Sequence, residues 1–173
     1  MTVTAGLRAR LITDSIRSLI EDGLDALGWF DSNRSHLPIV FHAEPPAWDQ
    51  ALVYNTMVLS VRSRSSTFVE VGSTFIDDST HLGIDLYVEN ASLGVELAND
   101  IRDVLRGRLD PGAARATATI LDLRQPTPPE IGYVTISDVR AIRVPPEVNL
   151  AYTAHWFGVE FLVSDHYYEG DET

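Results

Sequence analysis

Few positions in this chain carry residue types and spacing suited to chemistry. Asp77 and Asp78, followed by His81, place three oxygen and nitrogen ligands within five residues, a set that a divalent metal accepts. The same FIDDSTH composition also suits an ordinary solvated turn. His155 and His166 lie eleven positions apart. On a continuous strand at about 3.3 Å per residue they are too distant to share one ion. His36 and His42 belong to no motif. Serines are plentiful, but no G-x-S-x-G elbow is present to expose one as a nucleophile. Cysteine is absent, which excludes disulfides, thiol catalysis and Cys-based zinc sites. No phosphate-binding glycine pattern occurs. No catalytic residue, cofactor or metal is therefore assigned, and the chain is not expected to be an enzyme. The contrary reading is a small metal- or ligand-binding enzyme domain built on Asp77, Asp78 and His81.

The elements that would position these residues are clearer. From His81 to Leu109 the chain switches from strand period to helix period across one short polar joint. Leu82, Ile84, Leu86 and Val88 alternate with polar or small neighbours, the period-2 pattern of a half-buried strand. Leu93, Leu97, Ile101, Val104 and Leu105 then share a helical face. Ser92 is the expected N-cap, and Gly107 between Arg106 and Arg108 suits the C-terminus. An opening helix is predicted from Leu7 to Leu27. Its apolar stripe is Leu11, Ile12, Ile16, Leu19, Ile20, Leu24 and Leu27, with Arg10–Asp14 and Arg17–Glu21 paired on the wet face. Gly28 ends it. Strands are expected over Pro38–His42, Leu52–Val61 and Phe68–Val71. Arg62–Ser66 reads as a turn or exposed ribbon tip, and Gly72–Thr80 as a loop.

The second half is mostly β. Asp110-Pro111-Gly112 is a turn signal. Thr117–Arg124 alternates weakly as a strand, and Pro126, Pro128 and Pro129 make a stiff connector. Tyr133–Val144 is a strand with an irregularity near Asp138, where the alternation slips. After Pro145-Pro146 comes the longest late strand, Tyr152–Val163, with His155, Phe157, Val159, Phe161 and Val163 on one face. The predicted fold is α+β: a single domain, residues 1–173, with a mostly antiparallel sheet and two helices packed on one face. Pro-rich connectors and ribbon-like stretches exceed what one compact sheet needs, leaving material for a projecting β-hairpin or arm.

Composition narrows the partners. No apolar run approaches the roughly 20 residues of a membrane span, and no signal-peptide core precedes the first helix. All 13 basic residues are Arg, and the formal charge is −12. No basic block exists to hold phosphates. The aromatic set Trp156, Phe157, Phe161, Tyr167 and Tyr168 divides between core and subunit contact, with Trp156, Tyr167 and Tyr168 the candidate interface residues.

The segment IDLYVENASLGVELANDIRDVLRGRL, Ile84–Leu109, resembles the strand-helix core of tail-terminator proteins from long-tailed bacteriophages, nearest to those of phages of actinobacteria. LDLRQPTPPEIGYV at Leu121–Val134 and HWFGVEFLVSDHYY at His155–Tyr168 resemble the same group, as does the order of the opening helix and first strands. The resemblance implies a structural virion protein of the tail-neck region, assembled in the host cytoplasm. It implies a homo-oligomeric ring, usually a hexamer, that caps the tail-tube protein and stops its polymerisation. That ring joins the tail to the head-tail connector or stopper. DNA passes through the lumen without specific binding, and no membrane, cofactor or catalytic residue is implied. Another neck component, such as a head-tail stopper, is the neighbouring assignment. In such a ring the acids either solubilise the outer surface or keep a DNA channel from binding phosphates. Asp77, Asp78 and Glu89 are the candidate lumen acids, within a region of seven acids and two arginines between Glu44 and Glu89.

Overall fold

A computed structural model describes residues 5–31, 40–42, 55–68, 75–88, 90–108, 117–143 and 155–168. In chain order the elements are α1 (Ala5–Ala26), β1 (Val40–His42), β2 (Thr56–Phe68), β3 (Phe75–Val88), α2 (Ala91–Leu105), β4 (Thr117–Leu121), β5 (Glu130–Arg143) and β6 (His155–Tyr168). The fold is α+β. The strands form one sheet in the order β1-β2-β3-β6-β5-β4. The sheet is mixed, which corrects the antiparallel expectation. β1 runs parallel to β2, while β2–β3, β3–β6, β6–β5 and β5–β4 pair antiparallel. Parallel neighbours need a connection of about a dozen residues or more. The interval from 43 to 55 has that length, so no hairpin is imposed.

The apolar stripe of α1 is buried as the spacing requires: Leu11, Ile12, Ile16, Ile20 and Leu24 are all at most 3% exposed. Both expected i,i+4 pairs are present, Arg10–Asp14 at 3.6 Å and Arg17–Glu21 at 2.9 Å. Gly28 takes φ +72°, a conformation that costs a residue without Cβ little, and the chain turns there. Trp29 follows, fully buried, its indole N–H donating to Asp100 of α2 at 2.7 Å.

α2 is capped two residues earlier than expected. Asn90, not Ser92, accepts from the Leu93 amide at 2.8 Å, because Asn90 holds the extended backbone of an N-cap while Ser92 is already helical. Leu97 and Ile101 are both fully buried. Gly94 lies against the Phe157 ring of β6; a Cβ there would come within 2.2 Å of a ring carbon.

The strand spans move more than the helices. Residues 75–80, expected as loop, are the first half of β3, and Arg62–Ser66 is the interior of β2 rather than a turn. Local composition misled here, because polar side chains facing one another across a ladder pair as well as apolar ones do. The irregularity near Asp138 is present: the β5–β6 register shifts between Ser137 and Arg140, and Asp138 has φ +52°. β4 stops at Leu121, short of Arg124. Asp122 ends it, accepting from the Arg124 guanidinium at 2.6 and 2.8 Å and from Gln125 at 3.1 Å. Phe68–Val71, Pro38, Leu52, Asp110–Gly112, Val144–Pro146 and Tyr152 lie wholly or partly outside the described residues.

The core gathers α1, α2 and the inward residues of the strands: Leu82, Ile84, Leu86 and Val88 of β3, and Phe157, Val159, Phe161 and Val163 of β6. The strands at the two ends of the sheet order are both tied to α1. Ser15 Oγ accepts from the Leu121 amide of β4 at 2.9 Å, and the Arg17 guanidinium donates to the Phe41 carbonyl of β1 at 2.9 Å. The sheet therefore curls about this helix. No helix among the described residues is long and apolar enough to cross a membrane.

Candidate functional site

Alternation along β3 sends Asp77 and Asp78 to opposite faces. Asp78 sits on the inward face, in register with Asp165 of β6 and Ser66 of β2. It is 2% exposed and accepts from the Arg64 guanidinium, the Ser66 hydroxyl and, at 3.2 Å, the Tyr167 hydroxyl. Burial works against its charge, yet the Ser66 and Arg64 contacts outweigh that and hold the carboxyl below the usual carboxylate range. The same burial, reinforced by the Asp78 charge, pushes the Tyr167 phenol up.

Asp165, 1% exposed, lies beside this group and takes a two-pronged contact from Arg8 of α1 at 2.5 and 2.9 Å. Arg8 also stacks over the Tyr167 ring, 4.7 Å from its centroid. Two carboxylates, two guanidiniums and a phenol thus continue the apolar face of β3 and β6 at one end and tie α1 to it. Each buried acid has its own cation, which is the condition for charge to remain in such a place.

The outward face is polar and exposed around Asp77 and His166, whereas Thr56, Val58 and Tyr87 at its other end are buried. Arg62 crosses over Gly83 to reach Asp85 at 2.6 Å; a Cβ on Gly83 would meet the Arg62 Nε at 2.4 Å. Asp85 also accepts from the Trp156 indole at 3.2 Å, and that ring stacks on Tyr87 with centroids 5.8 Å apart. Glu160 lies between His81 at 3.7 Å and Arg140 at 3.8 Å, and Asp77 lies 3.3 Å from His166.

Among the described residues, open grooves include two beside the sheet. One, of about 440 Å³, is lined by Glu21, Asp22 and Asp25 of α1 with Phe30, Val40 and Phe41. The other, of about 580 Å³, is lined by Arg106 at the end of α2 and by Ile136–Arg140 around the β5 bulge.

The residues singled out from sequence separate accordingly. Asp77 is an exposed acid paired with a histidine. Asp78 is not a surface acid, because the strand that replaces the expected loop turns it inward. Glu89 lies outside the described residues. The proposed ligand set of Asp77, Asp78 and His81 is divided: Asp77 and His81 share the outer face, and Asp78 the inner. Among the described residues no three acidic or histidine side chains come close enough to hold a metal. Trp156 and Tyr167 are half-buried and hydrogen-bonded to Asp85 and Asp78 within the chain. Tyr168 pairs by its backbone with Phe75. Sequence reasoning missed Arg8, Arg64, Ser66 and Asp165. The available signal was Asp165 falling in step with Phe157, Val159, Phe161 and Val163, an acid on an apolar face that demands a cation. Compared with known proteins, the chain matches no family model and no curated protein.

Proposed function

We propose that this chain is a tail terminator: a structural subunit that forms a ring, usually of six copies, on the completed tail tube of a long-tailed bacteriophage. The ring stops polymerisation of the tail-tube protein and presents its far side to the head-tail connector, and DNA crosses its lumen unbound. The observation that carries this reading is the Ile84–Leu109 segment, whose likeness to tail terminators spans the end of β3 from Ile84 and all of α2. Two further features suit a ring subunit. Both helices covering a single face of the sheet would leave the exposed end of the other face, around Asp77 and His166, free for neighbours. Among the described residues β1 pairs β2 only from Thr56 to Val58, and on this reading the strand edge beyond would be where another chain adds. On this reading the protein works by assembly and not by catalysis, and Asp77 and Glu89 are the remaining lumen acids.

The test is made on virions and on tubes. Tail-tube protein polymerised with the purified chain should give tubes capped at one end that cease to elongate. Electron microscopy of tails should show a ring at that end. Absence of the protein from virions, or tubes that elongate undisturbed, would overturn the reading. Binding to the connector without binding to tubes would place it among head-tail stoppers instead.

A further inference from the structure

The two grooves carry opposite charge. In the α1 groove, Glu21 is partly satisfied by Arg17, but Asp22 and Asp25 are exposed and have no ion pair among the described residues. Phe30, Phe41 and the exposed Val40 supply an apolar floor. In the β5 groove, Arg106 is exposed and uses one N–H on the Val139 carbonyl at 2.7 Å. The Arg140 side chain is 67% exposed and touches Glu160 only at 3.8 Å. Asp138 is the acid on that rim, and the exposed Ile142 lies two residues beyond Arg140.

One copy cannot join these grooves to each other. Gly23 faces Val104 of α2, and a Cβ there would come within 2.6 Å of it. Glu21 and Asp25, two positions either side, lie about 200° around the helix at about 100° per residue. The acidic groove thus opens away from α2, whereas the arginine groove begins at the C-terminal end of α2 itself. Two different, complementary patches on one chain make a heterologous contact, which propagates head to tail and closes into a ring when the rotation per step allows.

We infer that the acidic α1–β1 groove of one copy docks into the Arg106–Arg140 groove of the next. Asp22 and Asp25 then meet Arg106 and Arg140, with Val40 and Ile142 adding apolar contact beside them. The inference names the contact within the ring proposed above, but it stands on the charge and placement of the grooves, and an open filament would use the same contact.

The chain has no cysteine, so introduced thiols report contacts against an empty background. Asp22→Cys mixed with Arg140→Cys under mild oxidation should give mixed dimers, each variant alone should stay largely monomeric, and the double variant should give a ladder. In sedimentation, Asp22→Arg with Asp25→Arg should weaken self-association by about tenfold or more, and Arg106→Glu with Arg140→Glu should do the same. Combining all four changes should restore it. Circular dichroism checks that every variant folds. Absence of mixed dimers, dominance of same-site dimers, or no rescue by the combined variant would overturn the contact. So would loss of short-oligonucleotide binding by the Arg106, Arg140 variant with sedimentation unchanged, which would make that groove an anion site. Virion incorporation of the variants separates the two ideas. Normal rings from charge-reversed chains reject this contact and leave the tail-terminator reading standing. Restored self-association in a protein absent from tails does the reverse.

Discussion

Asp78 and Asp165 are the residues on which the inward polar cluster turns, and each predicts a different measurement. Asp78 is held charged below its ordinary pKa of 3.8, so its contribution to stability is complete above about pH 4 and is lost as pH falls through the depressed folded value. Tyr167 has the opposite sign. Its pKa is raised above 10.0, so its contribution is complete below that pH and disappears as pH rises through the folded value. Denaturation midpoints should therefore fall at both extremes, and Asp78→Asn should flatten the acid limb alone. An unchanged acid limb in that variant would remove Asp78 from the account. At Asp165 the test is a pair of variants. Arg8→Met leaves an uncompensated buried carboxylate and should cost about 3–5 kcal/mol in chemical denaturation. Adding Asp165→Leu should recover most of that loss, since well-packed apolar groups replace a buried pair at little cost. If the second change deepens the loss, the pair is a net source of stability.

At the scale of elements, α2 is where sequence and structure agree most closely. Its buried positions follow the 3.6-residue period. Leu97→Ala or Ile101→Ala should therefore cost about 2–5 kcal/mol through lost burial and a cavity. Asp103 is part-exposed and pairs at 3.3 Å with the exposed Arg108, so Asp103→Ala should change stability by no more than about 0.5 kcal/mol. Equal sensitivity at Leu97 and Asp103 would contradict the helix register. Gly94→Ala is a sharper probe of the contact between helix and sheet. Its methyl group must displace the Phe157 ring, for an expected loss of about 1–3 kcal/mol, although Ala favours helix more than Gly does. A stabilised Gly94→Ala protein would mean that the helix sits further from β6. The N-cap was misplaced by two residues because Asn90 and Ser92 are both capping types. Only the backbone angles, extended at Asn90, choose between them.

At the scale of the whole molecule, charge decides what assembly requires. A formal charge of −12 opposes the approach of copies and of DNA alike, although salt limits its reach to about 8–10 Å. Self-association would then need local complementarity, which on the contact inferred above the acidic and arginine grooves would supply. On the ring reading, Asp77→Lys, alone or with Glu89→Lys, should leave ring formation intact and slow DNA ejection by holding phosphates, with the defect fading as salt rises. Ejection rates of mutant particles at low and high salt measure this, and an unchanged rate removes the lumen role of these acids. Asp78→Lys should behave differently and impair folding, because it places a second cation against Arg64 in a buried site.

The sequence by itself determined the class of fold, both helices with their buried stripes, the inward residues of β3 and β6, and the bulge at Asp138. These are legible because burial on one side of a helix or strand imposes a period on neighbouring residues. Tertiary structure decided the rest. It turned a polar run into the long paired strands β2 and β3, and it set β1 parallel to β2. It joined Arg8 to Asp165 and Arg64 to Asp78 across 157 and 14 positions. It also gathered Asp22 and Asp25 into one groove and Arg106 and Arg140 into another. Such pairings rest on sheet order and on how the strands curl about α1. Contacts between residues far apart in the chain leave no period in it, and a buried ion pair looks, residue by residue, like surface.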